Sequence, residues 1–178
     1  FTGSTSVGAA IARAGGATMK RMLLELGGKG ACIVTDDADL ATVVTALVSV
    51  WGFHSGQICT APTRAIVHRS RVDELVAALA AAAPLLTVGP PDAPSTVVGP
   101  LITATHRDRV EEYVQLGADE GGRIVVDGRR PAGVERGFYV GPTLVADCHN
   151  DMRVVREEIF GPVVVVVPYD TDDEAVAI

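Results

Sequence analysis

The sequence is poor in cysteine, with only three among its 178 residues, at positions 32, 59 and 148. An odd number of widely spaced cysteines forms neither a disulfide framework nor a Cys-x-x-Cys metal pair. The four histidines also lack the spacing of metal ligands, so we predict no metal site. This cysteine usage is typical of a reducing compartment, and we expect a cytoplasmic location.

Basic residues are also scarce, since 15 Lys and Arg face 22 Asp and Glu and the net charge is -7. A partner with a phosphate backbone or an anionic membrane surface requires positive charge, so we predict neither a nucleic acid nor a membrane partner. The longest apolar runs, at 41–53 and 75–86, are shorter than the roughly 20 residues of a bilayer span.

Hydrophobic residues make up 48% of the chain, which is enough for the core of about one domain. The chain opens on Phe1 instead of Met and stops at Ile178 within what reads as the start of a helix. We therefore expect a piece of a longer protein.

Strand and helix patterns alternate along the sequence. Helical spacing of apolar residues at 40–51 follows Asp36 and Asp37, which are candidate caps, and Ser70 with Asp73 reads as the capping box of a second helix. A third helix is expected at 106–122, closed by Gly117 or by the glycine pair at 121 and 122. Strands are predicted at four places: 29–34, 63–69, 123–128 and 162–169. This alternation predicts an α/β fold, a layered and mostly parallel sheet with flanking helices.

Cys59 is the first candidate for chemistry, in the stretch GFHSGQICTAP at 52–62. A thiolate is a strong nucleophile, and backbone amides in a glycine-containing turn can lower its pKa and stabilise an oxyanion beside it. A lone cysteine is more often a packed residue, and that alternative stays open for Cys59. We assign Cys32 to strand packing and Cys148 to a loop.

Glu25 is the second candidate, because it interrupts the apolar run MLLEL ahead of Gly27 and Gly28. Burial between leucines would raise the pKa of its carboxyl group towards the range of a general base. The alternative is a solvated carboxylate at the edge of a half-buried strand.

Two further segments have the residue types of a nucleotide site. In FTGSTSVG, Gly3, Ser4 and Gly8 could form a turn in which amides at a helix N-terminus face a phosphate, although an ordinary turn is the alternative. In REEIFGPV, Glu158 could hold a ribose while Phe160 packs against a ring, but an exposed Glu and a core Phe explain the pattern equally well.

Taken in order, FTGST, LELGGK, GQIC and EEIFGPV resemble the aldehyde dehydrogenase superfamily. GPLI and GFYVGPTLV also look like segments of that family, so the resemblance covers essentially the whole chain. It implies that Cys59 is the catalytic thiol, which forms a thiohemiacetal and then a thioester, and that Glu25 is the general base that activates water for hydrolysis.

The resemblance also implies NAD or NADP as cofactor. Gly3, Ser4 and Gly8 match the turn under the pyrophosphate, Glu158 the residue that holds the nicotinamide ribose, and Phe160 the ring beside the nicotinamide. By the same resemblance, residues 1–26 are the tail of the NAD(P)-binding domain and residues 27–178 a truncated catalytic domain.

The implied function is the NAD(P)-dependent oxidation of a small-molecule aldehyde to a carboxylic acid by a full-length protein that we expect to be a homo-oligomer. Glu25 favours hydrolysis, because relatives that acylate coenzyme A usually lack this glutamate. Two alternatives stay open: a coenzyme A-dependent or phosphate-dependent relative, and an inactive folding or interaction unit as the chain stands. The sequence does not identify the aldehyde.

Overall fold

The computed structural model describes residues 1–178, which form seven strands and six helices. The strands are β1 Thr2–Gly3, β2 Glu25–Leu26, β3 Ala31–Val34, β4 Arg64–His68, β5 Arg123–Val126, β6 Thr143–Ala146 and β7 Val163–Tyr169. The helices are α1 Thr5–Gly16, α2 Leu40–Gly52, α3 Val72–Ala82, α4 Ala104–Asp119, α5 Arg153–Arg156 and α6 Asp172–Ala177. None of the helices has both the length and the apolar composition needed to span a bilayer.

Five strands form the main sheet, in the order β3-β4-β7-β6-β5. All neighbouring pairs are parallel except β5 with β6, which is antiparallel. The predicted α/β fold with a mostly parallel sheet is therefore confirmed.

Strand β7 lies at the centre of the sheet and is buried on both faces. Val164 and Val166 belong to a core that includes apolar residues of α2 and α3, whereas Val163, Val165 and Val167 belong to a second core that includes residues of α4 and α5. Because successive side chains of a strand point to opposite faces, one run of five valines supplies both cores.

The helix patterns are confirmed, but two of the predicted ends are wrong. Helix α2 is capped by Asp39, whose carboxylate accepts from the Thr42 amide at 3.2 Å, instead of by Asp36 or Asp37. The capping box at Ser70 does not form, because Ser70 lies in a 3-10 turn where its hydroxyl is 2.8 Å from His68 Nδ1.

Helix α4 continues through Gly117, which is buried inside it, and ends at Asp119. Gly121 follows with φ +102, a conformation that favours glycine, so the glycine pair closes this helix as predicted.

Residues 1–26 contain β1, α1 and β2, and the two strands pair in parallel as a two-stranded sheet with Thr2 opposite Glu25. Helix α1 has only one buried residue, Gly8, and the segment after it exposes Met19 and Leu23. The chain then passes through Gly27 and Gly28 into the main sheet at Ala31. These two glycines therefore lie where the two sheets meet.

Candidate active site

Four parts of the chain meet around one cleft with a volume of about 580 Å³. The small sheet forms one wall, and the loop after α2, the start of α4 and the segment before β7 form the others. Six of the seven site residues predicted from the sequence line this cleft: Gly3, Ser4, Glu25, Cys59, Glu158 and Phe160. Residues far apart in the sequence are thus brought together at one place.

Cys59 lies in a turn after a short 3-10 helix, Phe53–Gly56, and its side chain is exposed. Gln57 fixes this loop through both ends of its amide. Gln57 Nε2 donates to the His54 carbonyl at 3.0 Å, and the Ile102 amide donates to Gln57 Oε1 at 3.1 Å. The loop that carries Cys59 is therefore tied to the segment before α4.

The backbone ahead of Cys59 is left-handed for three residues in succession, His54 at φ 50, Ser55 at φ 55 and Gly56 at φ 72. Ser55 is buried, and its hydroxyl donates to the Gly99 carbonyl at 2.9 Å. At Gly56 a Cβ would lie 2.2 Å from the Gly161 carbonyl oxygen, so any larger residue would force the backbone at Gly161 to shift. Left-handed non-glycine residues concentrate at functional sites, where the surrounding contacts maintain them.

The other two cysteines differ from Cys59 in their surroundings. Cys148 is buried in the core, where burial raises the pKa of its thiol to about 12. Cys32 is half-buried on β3, and burial also raises its pKa. Cys59 is the one exposed cysteine of the three.

Glu25 lines the cleft from β2, but it is exposed and not buried between leucines as predicted. Successive side chains of a strand point to opposite faces, so α1 packs against Leu26 while Glu25 faces the open cleft; Leu23, just ahead of β2, is exposed as well. The alternative given for Glu25, a solvated carboxylate on a strand edge, describes its position in this structure.

The N-terminus of α1 opens into the same cleft through Gly3 and Ser4. Ser4 is the N-cap, and its hydroxyl accepts from the Val7 amide at 3.4 Å. Gly8 lies one turn further on and does not line the cleft. A Cβ on Gly8 would be 2.6 Å from Leu26 Cδ2, so this glycine lets α1 pack against β2.

Glu158 reaches the cleft next to the chain at Gly27. A Cβ on Gly27 would be 2.1 Å from both carboxylate oxygens of Glu158, so a side chain at position 27 would displace that carboxylate. Two polar atoms here are buried without a hydrogen-bond partner, Glu158 Oε1 and Lys29 Nζ. Burial lowers the Lys29 pKa to about 7; Arg64 acts in the same direction, and Cys148 and Glu158 oppose it.

Phe160 presents its ring to the cleft from a left-handed backbone, at φ 61. Its carbonyl oxygen is 2.6 Å from His106 Nε2, and Arg109 donates to the Glu158 carbonyl at 3.0 Å. Both His106 and Arg109 lie on α4 and line the cleft. They were not among the residues predicted from the sequence, although their i, i+3 spacing in HRDR is a signal that they share a helix face.

No group of three or more His, Cys, Asp and Glu side chains is arranged to hold a metal ion. The chemistry available in the cleft is that of a thiol, a carboxylate and a helix N-terminus.

The sequence model of the aldehyde dehydrogenase family matches residues 1–178. The chain belongs to the aldehyde dehydrogenase family.

Relatives in this family cover the whole chain. A geranial dehydrogenase of Castellaniella defragrans is 45% identical over 178 residues, which are 100% of this chain and 37% of the relative. A betaine aldehyde dehydrogenase of Bacillus subtilis is 39% identical, over 99% of this chain and 36% of its own length. The chain thus spans a little over a third of the curated relatives it matches.

Solved structures of the family have the same fold. An aldehyde dehydrogenase of Mycobacterium tuberculosis complexed with NAD+ matches with a TM-score of 0.96 and 45% identity, over 99% of this chain and 37% of that chain. A Pseudomonas syringae member with bound NAD+ and octanal matches with a TM-score of 0.94 and 42% identity, over 99% and 36%. The resemblance first noted in four short motifs is confirmed.

Proposed function

We propose that the full-length protein oxidises an aldehyde to a carboxylic acid with NAD or NADP as hydride acceptor. One observation carries this proposal: Cys59, the exposed cysteine, shares a cleft with Glu25 and with four of the five residues predicted to hold the cofactor. Relatives with this fold are solved with NAD+. The relatives' names specify different aldehydes, so we propose the aldehyde group and no particular substrate.

The residues of the cleft fit a dinucleotide. The α1 N-terminus at Gly3 and Ser4 offers backbone amides to an anionic pyrophosphate. The buried Glu158 Oε1 lacks a donor, which a ribose hydroxyl would provide, and the Phe160 ring is exposed for packing. NAD or NADP held there supplies the acceptor for the hydride that leaves the substrate carbon.

Cys59 is the proposed nucleophile. Its thiolate sulfur bonds to the aldehyde carbon, and the carbonyl oxygen takes up a proton to give a thiohemiacetal. Loss of hydride from that carbon and of the hydroxyl proton leaves a thioester on Cys59. The left-handed backbone at 54–56 and the two Gln57 hydrogen bonds hold this loop before substrate arrives, which supports a pre-organised nucleophile.

Glu25 is the proposed base for the second half of the reaction. It removes a proton from a water molecule whose oxygen attacks the thioester carbon, and the carboxylic acid leaves as the Cys59 thiolate is restored. The exposure of Glu25 gives water direct access to its carboxylate.

We propose that residues 1–26 are the tail of the NAD(P)-binding domain and that residues 27–178 are part of the catalytic domain. The separation of the two sheets at Gly27 and Gly28 supports this boundary. The three free cysteines support a reducing, cytoplasmic location. Edge strand β3, which exposes Ile33, supports association of the full-length protein into a homo-oligomer.

The test uses the full-length protein and two variants in a rapid-quench assay of NADH formation. Cys59→Ser should lower the rate by at least about 10³-fold, because the hydroxyl is a far weaker nucleophile. Glu25→Gln should form one NADH per active site and then stall with an acylated Cys59. Cys32→Ser is the matched control, and its rate should equal that of the wild type.

A full steady-state rate in Cys59→Ser or Glu25→Gln would refute the assigned role. Addition of coenzyme A or phosphate to the assay distinguishes a hydrolytic enzyme from a coenzyme A-dependent or phosphate-dependent relative. A hydrolytic enzyme needs neither compound for turnover. A titration of the 178-residue chain itself with NAD should show no binding, because most of the relatives' length lies outside it. Micromolar binding would contradict that expectation.

A further inference from the structure

One face of helix α4 packs along the segment 157–161, which carries Glu158 and Phe160. The α4 contact face consists of His106, Arg109, Val110 and Tyr113, at i, i+3, i+4 and i+7 of one helix. Each of the four contacts a different residue of the segment. The chain between α5 and β7 contains no helix or strand of its own, so these contacts determine its path.

His106 contacts the strained residue of the segment. Its Nε2 lies 2.6 Å from the Phe160 carbonyl oxygen, and because a carbonyl can only accept, Nε2 carries the proton. The two rings also meet edge to face, with centroids 6.1 Å apart. Phe160 has φ 61, which a bulky side chain rarely adopts without support from its surroundings.

Arg109 contacts the carbonyl two residues earlier. It donates to the Glu158 carbonyl at 3.0 Å while its guanidinium lies over the Tyr113 ring, 5.5 Å from the centroid. Tyr113 donates through its hydroxyl to the carboxylate of Glu157, which Arg153 also contacts at 2.7 Å. The Glu158 carbonyl and the Glu157 carboxylate are thus both held by side chains of α4.

The opposite side of the segment touches the cysteine loop. A Cβ on Gly161 would be 2.8 Å from Val110 Cγ2, and a Cβ on Gly56 would be 2.2 Å from the Gly161 carbonyl oxygen. The peptide after Phe160 is therefore enclosed between α4 and the turn that precedes Cys59.

We propose that His106 and Arg109 are positioning residues, which hold Phe160 and Glu158 in the geometry that the nicotinamide side of the cofactor requires. This inference rests on the proposed function. Without the His106 N–H, Phe160 relaxes from its left-handed conformation, and the cofactor must order the segment when it binds. The reaction of the Cys59 thiol itself does not require this hydrogen bond.

The experiment compares His106→Ala and His106→Gln in the full-length protein. His106→Ala should raise the KM for NAD about 10-fold, the effect of one lost ordering hydrogen bond, and change the KM for the aldehyde less than about twofold. His106→Gln keeps an N–H of similar reach and should restore the wild-type value. Glu112→Ala, an exposed change on the same helix, is the matched control.

A second readout needs no substrate. Hydrogen exchange of the peptide that covers 157–161, measured without cofactor, should be about 10-fold faster in His106→Ala than in the wild type, His106→Gln and Glu112→Ala. Iodoacetamide labelling of Cys59 should be the same in all four proteins. Together these measurements separate a local ordering effect from general destabilisation.

Three results would overturn the inference: an unchanged KM for NAD in His106→Ala, an equal defect in His106→Gln, or unchanged exchange of the segment. A wild type that shows no NAD-dependent aldehyde oxidation refutes the proposed function instead. Even then, the exchange measurement decides whether His106 orders the segment.

Discussion

Strand β7 and the loops of the cleft differ in what stabilises their backbone conformation. The five valines of β7 are β-branched residues in a regular extended backbone, nearly or fully buried, and they need nothing but apolar neighbours. In the loops, His54, Ser55 and Phe160 have a left-handed backbone that their side chains disfavour. Each such residue costs about 1–3 kcal/mol, which specific contacts must offset.

The contrast shows where the fold is self-sufficient and where it depends on particular partners. The sheet requires volume and hydrophobicity, whereas the loops require individual hydrogen bonds such as Ser55 to the Gly99 carbonyl and His106 to the Phe160 carbonyl. Changes in the two regions should therefore differ in kind as well as in size.

The largest expected difference is between the cysteines of the two regions. At pH 8 a thiol with a pKa of about 12, such as Cys148, is about 10³-fold less ionised than an ordinary thiol of pKa about 8.5, and it is buried as well. Cys59 is exposed and should be labelled first by iodoacetamide. Peptide mass spectrometry of the folded chain measures the three rates.

In denaturant all three cysteines should react alike, which controls for the intrinsic reactivity of each peptide. Labelling of Cys148 as fast as Cys59 in the folded chain would contradict the distinction between core and cleft.

The next effect is the loss of a core side chain. Leu144→Ala should lower the free energy of unfolding by about 2–5 kcal/mol, because Leu144 is fully buried and a cavity would remain. Urea unfolding followed by the fluorescence of Trp51, the single tryptophan, measures it. Leu85→Ala, at a side chain that is 79% exposed, is the control and should change stability by less than about 0.5 kcal/mol. Equal effects of the two changes would show that the sheet is not the stable core.

The same contrast explains what could be predicted from the sequence. The valine run and the apolar spacing of α2 predicted a buried strand and a helix, because burial leaves a periodic pattern. The capping box failed at Ser70 because the His68 side chain, two residues away, bonds to its hydroxyl. The Ser-x-x-Asp pattern gives no sign of this competing hydrogen bond between His68 and Ser70.

In the cleft, the sequence motifs identified site residues but did not predict the burial or the contacts of those residues. The leucine neighbours of Glu25 left both burial and exposure open; Glu25 is exposed because it faces the cleft, whereas α1 packs against Leu26. His106 and Arg109 were missed because their partners lie 54 and 49 residues away in the sequence. Only the folded chain relates such residues.

Lys29, two residues before β3, should make the stability of the chain depend on pH. Its pKa is about 7 in the folded chain and 10.5 for the ordinary side chain, so between these values the unfolded chain binds more protons and stability rises with pH. From pH 7 to pH 9 this contribution amounts to about 2 kcal/mol. Lys29→Met should remove it, and urea unfolding at both pH values measures the difference.

Lys20→Met is the control for that measurement, because Lys20 is exposed and is the other lysine of the chain. Its pH dependence should follow the wild type. A Lys29→Met protein whose stability changes with pH in parallel with the wild type would mean that the Lys29 ammonium is solvated.

The smallest expected effect separates backbone strain from close packing in the cysteine loop. Gly56 and Gly133 both have positive φ, at 72 and 80, but a Cβ would meet the Gly161 carbonyl at 2.2 Å in the first and open space in the second. Gly133→Ala should therefore cost only the conformational penalty of about 1 kcal/mol, and Gly56→Ala about 1–2 kcal/mol more, because the backbone of the Phe160 segment must shift. Urea unfolding measures both changes. Equal costs would mean that the cysteine loop moves away from that segment freely, in which case the two walls of the cleft are not mechanically connected.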